Sequence, residues 1–106
     1  MRFLGPILIL LLSAPVAAAQ DATIVGRGRD YATAACSDCH AVSAGERTSP
    51  NPRAPAFETV ANTPGMTGMA LSAWLHTSHP TMPNLMISAA RTDELAAYIL
   101  TLRKKL

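Results

Sequence analysis

Two cysteines and a histidine form the most chemically distinctive stretch of the sequence, Cys36-Ser37-Asp38-Cys39-His40. Two thiols three positions apart can form thioether bonds with the two vinyl groups of one porphyrin, and a histidine that follows directly can reach the porphyrin iron as an axial ligand. The spacing therefore predicts one covalently bound haem, attached through Cys36 and Cys39, with His40 on the iron.

Three other uses of paired cysteines fit the sequence less well. A thioredoxin-like redox pair would need a βαβ surrounding, and the sequence has no strand pattern. A zinc site needs further ligands at suitable spacing, whereas Cys36 and Cys39 are the only cysteines in the chain. A disulfide between them would close a loop too small to constrain much of the unfolded chain. Haem attachment is therefore the interpretation that we favour.

The amino terminus has the features of a secretory signal peptide. Arg2 provides a short positive region, residues 3–12 form an apolar run broken once by a Gly-Pro pair, and the three alanines at 17–19 offer a cleavage site. A membrane anchor is the alternative, but it would need an apolar span of about twenty residues. We therefore expect residues 1–19 to be removed during export, which in a bacterium leads to the periplasm.

Cleavage would leave 87 residues, enough for one small domain over residues 20–106. Without Arg2, eight Lys and Arg oppose seven Asp and Glu, so the formal charge is +1, or about −1 with two ionised haem propionates. This balance does not indicate nucleic-acid binding. The basic cluster Arg103-Lys104-Lys105 is predicted to lie in the last turn of a helix, where positive charge is favourable. A docking patch for a partner is the alternative.

The elements that must position the haem motif are helical. Apolar periodicity and cap residues predict helices over 22–35, 67–77 and 89–105 and one short turn over 57–61. Three prolines between residues 43 and 55 exclude regular structure and predict a stiff loop over one edge of the haem. Two further prolines make residues 79–84 an extended loop. We therefore predict an all-α fold of about four to five short helices and loops around one haem.

The order of features along the chain resembles that of class I c-type cytochromes, the monohaem type found in the bacterial periplasm. The likeness rests on Gly28 and Tyr31 before C-x-x-C-H, a proline-rich loop, Met82-Pro83, and Leu95-Ala96-Ala97-Tyr98-Ile99 near the end. In that family the first and last helices cross steeply, with a glycine allowing close approach and aromatic side chains filling the contact. The resemblance implies a small cytochrome c fold whose helix crossing is formed by Gly28, Tyr31, Leu95 and Tyr98.

The resemblance also implies that Met82 is the second axial ligand of the iron, because the family's ligand precedes a proline in the loop before the last helix. A thioether is a soft, neutral donor that favours Fe(II) and raises the reduction potential, which suits this role. His79 or His76 would instead give a bis-histidine haem of low potential, and an open sixth site is a third alternative. The remaining candidates are better explained as flexible packing residues: Met66, Met69 and Met86.

Other contacts with the haem follow from the family pattern and from side-chain chemistry. In the family the axial histidine donates its second ring N–H to a proline carbonyl in the loop after the motif, a role that matches Pro55, with Pro52 as the alternative. The Trp74 indole can donate to a haem propionate, although core packing also explains this residue. Arg53 can pair with the same propionate or remain in solvent.

Together these features predict a periplasmic one-electron carrier with a His40/Met82-ligated haem, and not an enzyme. Such a protein would be a monomer that docks transiently with larger redox proteins, its electron donor and acceptor. Two alternatives stay open. One is a dedicated cytochrome subunit or electron acceptor of a periplasmic dehydrogenase, and the other is a gas-binding or sensory haem with an open sixth site.

Overall fold

The computed structural model describes Gly5, Ile9, residues 16–77 and residues 86–104, with the backbone alone for residues 16–21. Within these residues the chain forms four helices and no strand. The helices are α1 (Val16–Ala35), α2 (Phe57–Ala61), α3 (Gly68–Leu75) and α4 (Ala89–Thr101). The all-α prediction is confirmed, and residues 43–55 form the irregular loop that their prolines indicated.

The first three helices lie close to their predicted positions. α1 begins six residues before the predicted start, because the alanine-rich stretch ahead of residue 22 contains no residue that ends a helix. α2 has the predicted bounds. α3 begins where the Thr67 hydroxyl accepts a hydrogen bond from the Ala70 N–H at 3.1 Å, and it ends two residues before the predicted end.

The end of α4 differs from the prediction. The helix stops at Thr101, so the prediction that Arg103, Lys104 and Lys105 occupy its last turn is wrong. Arg103 turns toward α2 instead and donates from Nε to the Ala61 carbonyl at 3.2 Å and from Nη2 to the Met66 carbonyl. The end of a helix leaves carbonyls without partners, and a guanidinium can satisfy two at once. Lys105 lies outside the described residues.

The α1–α4 crossing depends on a glycine. A Cβ atom on Gly28 would lie 2.0 Å from the Glu94 carbonyl oxygen and 2.8 Å from the Tyr98 Cβ, so no other residue fits without moving the two backbones apart. This confirms the close approach that the sequence predicted at Gly28. Leu95 and Tyr98 are buried on the α4 side of the contact.

Charged side chains close the rim of this crossing. Arg27 on α1 forms an ion pair with Glu94 on α4 at 2.7 Å, and Arg91 approaches the same carboxylate at 3.4 Å. The Arg91 guanidinium also lies 5.7 Å from the centre of the Tyr31 ring, a cation–π contact. Tyr31 therefore belongs to the rim of the crossing, while Leu95 and Tyr98 form its interior.

α4 is the central element of the fold. It packs against α1, α2 and α3, and no other two of the four helices described are in contact with each other. The core around α4 also includes Cys36, the first residue of the haem motif, and Phe57, the first residue of α2. None of these four helices is both long and apolar enough to cross a membrane.

Candidate functional site

The haem motif continues directly from α1. The Cys36 N–H donates to the Ala32 carbonyl at 2.9 Å, and the His40 N–H donates to the Cys36 carbonyl at 2.9 Å. These bonds join residues four apart, so one further hydrogen-bonded turn follows the end of α1 at Ala35. Both cysteines and His40 are thereby held within a single turn of chain.

The two cysteines are free thiols in different surroundings. Cys36 is buried in the core, and Cys39 is half-buried. Burial raises the pKa of the Cys36 thiol to about 11, so this thiol is protonated at neutral pH. In the part of the chain that the structure describes, no group of three or more His, Cys, Asp or Glu side chains could hold a metal ion, so the zinc alternative gains no support there.

His40 is fixed by the loop that follows the motif. Its Nδ1 lies 2.7 Å from the Pro55 carbonyl oxygen, and because a carbonyl only accepts, Nδ1 must carry the proton. With Nδ1 engaged in this bond, Nε2 is the ring nitrogen available to bind a metal. The Phe57 ring packs on the imidazole with ring centres 5.2 Å apart. An imidazole fixed through Nδ1 beside two free thiols fits a covalently attached haem, with the thiols for thioether bonds and Nε2 for the iron.

The loop from Ser49 to Phe57, here called the proximal loop, is bonded along the motif. The Asn51 N–H donates to the Cys39 carbonyl at 3.1 Å, the Ser49 hydroxyl accepts from the Ala41 N–H at 3.0 Å, and the Phe57 N–H donates to the Ala41 carbonyl at 2.9 Å. With the Pro55 bond, four hydrogen bonds hold residues 39–41 against this loop. The sequence alone did not predict this acceptor role of Ser49.

Asn51 was also missed. Its side-chain oxygen accepts from the Arg53 N–H at 2.9 Å, and its carbonyl accepts from the Ala54 N–H at 3.0 Å. An asparagine between two prolines, as in Pro50-Asn51-Pro52, is a signal for such a turn. Asn51 therefore shapes the loop that brings the Pro55 carbonyl to His40.

Two other helices hold the chain just after the motif. The Tyr98 hydroxyl of α4 donates to the Val42 carbonyl at 2.6 Å, and burial raises the pKa of Tyr98. The Glu58 carboxylate of α2 accepts from the Gly45 N–H at 2.7 Å. Gly45 has φ of +80°, a conformation that favours glycine.

The structure places the other predicted residues as follows. Arg53 is exposed, and Trp74 is 59% exposed, so core packing does not explain Trp74. His76 Nδ1 donates to the Ser72 carbonyl at 2.8 Å near the end of α3. Met82 and His79 lie outside the described residues. The propionate contacts of Trp74 and Arg53 stay predictions.

The packing role predicted for three methionines holds for one of them. Met66 packs against the core, as expected. Met69 is 84% exposed and Met86 is 102% exposed, so the packing explanation is wrong for both. α4 is the one described helix that α3 contacts, so part of α3, including Met69, has no helical partner.

Tyr98→Phe should lower the free energy of unfolding by about 1–2 kcal/mol near neutral pH, because the buried Val42 carbonyl loses its donor. The pKa of Tyr98 is raised above its ordinary value of 10.0, so the unfolded chain releases this proton first. The contribution of the Tyr98 hydroxyl to stability is therefore complete below about pH 10.0 and is lost as the pH rises through the higher pKa of the folded protein. Urea unfolding of both proteins on either side of this range measures the effect.

Tyr31→Phe is the matched control, since it removes a hydroxyl and keeps the ring under Arg91. It should leave stability within about 0.5 kcal/mol of the unmutated protein. Equal alkaline losses in Tyr98→Phe and the unmutated protein would contradict the assignment.

Comparison with known proteins adds one relative. The chain is 34% identical over 103 residues to a protein named cytochrome c-552 from Bradyrhizobium diazoefficiens, and the alignment covers 97% of this chain and 95% of that protein. No family model matches the chain, and no solved structure matches it. The similarity thus extends far beyond the five residues of the haem motif, over nearly the full length of both chains.

Proposed function

Because this chain belongs to the class I c-type cytochromes, which are haem-containing electron carriers, we propose that it carries single electrons in the periplasm with His40 and Met82 as axial ligands. The observation that supports this most directly is the His40 ring, held through Nδ1 by Pro55 with Nε2 left as the donor. The relative's name is that of a cytochrome, which also favours a carrier over an enzyme.

Some residues would attach the haem, and others would set the reduction potential of its iron. Cys36 and Cys39 would hold one haem through thioether bonds, and the haem supplies an iron that gains and loses one electron. The Pro55 carbonyl keeps the imidazole in one orientation, and because it accepts a hydrogen bond from Nδ1–H, it makes Nε2 a stronger ligand for iron. The Met82 thioether would favour the reduced state from the other side. A fixed ligand set needs little rearrangement when the charge of the iron changes.

The proposed location and partners rest on the sequence. Cleavage after residue 19 would leave residues 20–35 of α1, still enough to carry both Gly28 and the motif. We propose a monomer that meets its donor and acceptor in short encounters. With a net charge near zero, these encounters depend on apolar contacts more than on long-range attraction.

Mass spectrometry of the purified, exported protein tests the proposal. Under denaturing conditions the mass should equal that of residues 20–106 plus one haem, since thioether bonds survive unfolding. The double variant Cys36→Ala/Cys39→Ala should lose the haem mass on denaturation, and Ser37→Ala, within the same turn, should keep it. A denatured mass without haem would contradict the proposed function.

A further inference from the structure

We propose that Ser49 is a positioning residue for the axial histidine. Its hydroxyl accepts the N–H of Ala41, the residue directly after His40, and thereby keeps the imidazole within reach of the Pro55 carbonyl. The inference rests on the proposed role of His40 as an iron ligand and adds to it a side chain that sets the position of that ligand.

Ala41 is the first residue after the hydrogen-bonded turn that follows α1. The His40 N–H still donates to a carbonyl four residues earlier, whereas the Ala41 N–H donates to Ser49 at 3.0 Å. Ala41 is 2% exposed, so water does not replace a lost acceptor easily. A buried N–H without a partner is costly. The Ser49 hydroxyl thus satisfies a buried N–H that lies beyond the hydrogen-bonded turn after α1.

Ser49 differs in kind from the other contacts of the proximal loop. Three of the four hydrogen bonds between this loop and residues 39–41 use backbone atoms of the loop, at Asn51, Pro55 and Phe57. The fourth uses the Ser49 side chain. Of these four bonds, it is therefore the one that a substitution within the loop can remove while the loop keeps its backbone atoms.

Removal of the Ser49 hydroxyl should change the reduction potential in one direction. Residues 40 and 41 would shift as the Ala41 N–H seeks another acceptor, and the bond from Nδ1 to the Pro55 carbonyl would weaken. A weaker bond makes the imidazole a poorer donor, and Fe(III) depends on donor strength more than Fe(II) does. The reduction potential should therefore rise when the Ser49 hydroxyl is removed.

The test uses the complete haem-loaded protein in five forms: unmutated, Ser49→Ala, Ser49→Thr, Ser49→Val and Ser43→Ala. Threonine keeps the hydroxyl, and valine has nearly the same shape without it. If Ser49→Ala does not accumulate, the Thr and Val variants decide the question alone. Ser43→Ala is the control. Ser43 is exposed in the same irregular stretch, and its hydroxyl forms no hydrogen bond with the described residues.

Two readouts are needed, the reduction potential and the rate of hydrogen exchange at the Ala41 amide. Ser49→Ala and Ser49→Val should speed exchange at Ala41 about tenfold or more relative to the Leu95 amide in the core. Both should raise the potential, while Ser49→Thr and Ser43→Ala should match the unmutated protein. General destabilisation would speed both amides alike, so the ratio separates positioning from stability.

Contrary outcomes separate this role from the proposed function. A haem-loaded unmutated protein, combined with unchanged potential and Ala41 exchange in Ser49→Ala and Ser49→Val, would overturn the role of Ser49 alone. Faster exchange without a change in potential would also overturn it, because Ser49 would then be purely structural. An unmutated protein without haem would overturn the proposed function as well.

Discussion

Gly28→Ala should lower the free energy of unfolding by about 3 kcal/mol or more, because the added methyl group would lie 2.0 Å from a backbone oxygen of α4. A flexible side chain could move aside, but the Glu94 carbonyl is part of a helix. The two helices must then separate, which also loosens the buried Leu95 and Tyr98. Denaturant unfolding of the haem-loaded protein measures the loss.

Gly26→Ala is the matched control, since it makes the same change two residues earlier on α1. No atom lies within 4 Å of a Cβ placed at Gly26, so only helix propensity should matter. Alanine should then stabilise the protein by up to about 1 kcal/mol. If both variants unfold at the same denaturant concentration, the crossing does not need its close contact.

Met82→Ala should lower the reduction potential and open the sixth position of the iron. Without the thioether, Fe(II) loses the donor that favoured it, and each tenfold change in relative stability of the two states corresponds to ~59 mV. We expect a fall of more than one such step. Carbon monoxide should bind the reduced variant and should not bind the unmutated protein.

Two other methionine variants serve as controls, Met69→Ala and Met86→Ala. Both side chains are largely exposed, so their loss should change neither the potential nor carbon monoxide binding. If Met82→Ala keeps the potential of the unmutated protein, another residue is the ligand. If the unmutated protein itself binds carbon monoxide readily, the sixth site is open and a sensor becomes the better explanation.

The fold was predictable because its determinants are local. Apolar residues at helical spacing, a threonine cap and clusters of prolines indicated four elements whose bounds differ from the structure by a few residues at most of their ends. Gly28 was recognised through the family pattern, and its close approach to α4 gives the pattern a steric cause.

The features that were not predicted from the sequence depend on contacts between separate parts of the chain. Arg103 and Lys104 favour a longer α4 by local propensity, yet Arg103 leaves the helix for carbonyls of residues 61 and 66. The acceptor role of Ser49 and the donor role of Tyr98 likewise arise only once the loop after the motif is in place. No periodicity marks these hydrogen bonds, since each joins a side chain to a backbone atom outside its own helical repeat.

The central position of α4 bears on the order in which the protein is made. Synthesis begins at the amino end, so the C-x-x-C-H motif is made before the last helix. Until α4 follows, the other described helices have no helical partner, and the core that contains Cys36 lacks four of its ten buried residues. If haem is attached at that stage, as the proposed function allows, it meets a Cys36 thiol that the folded protein buries.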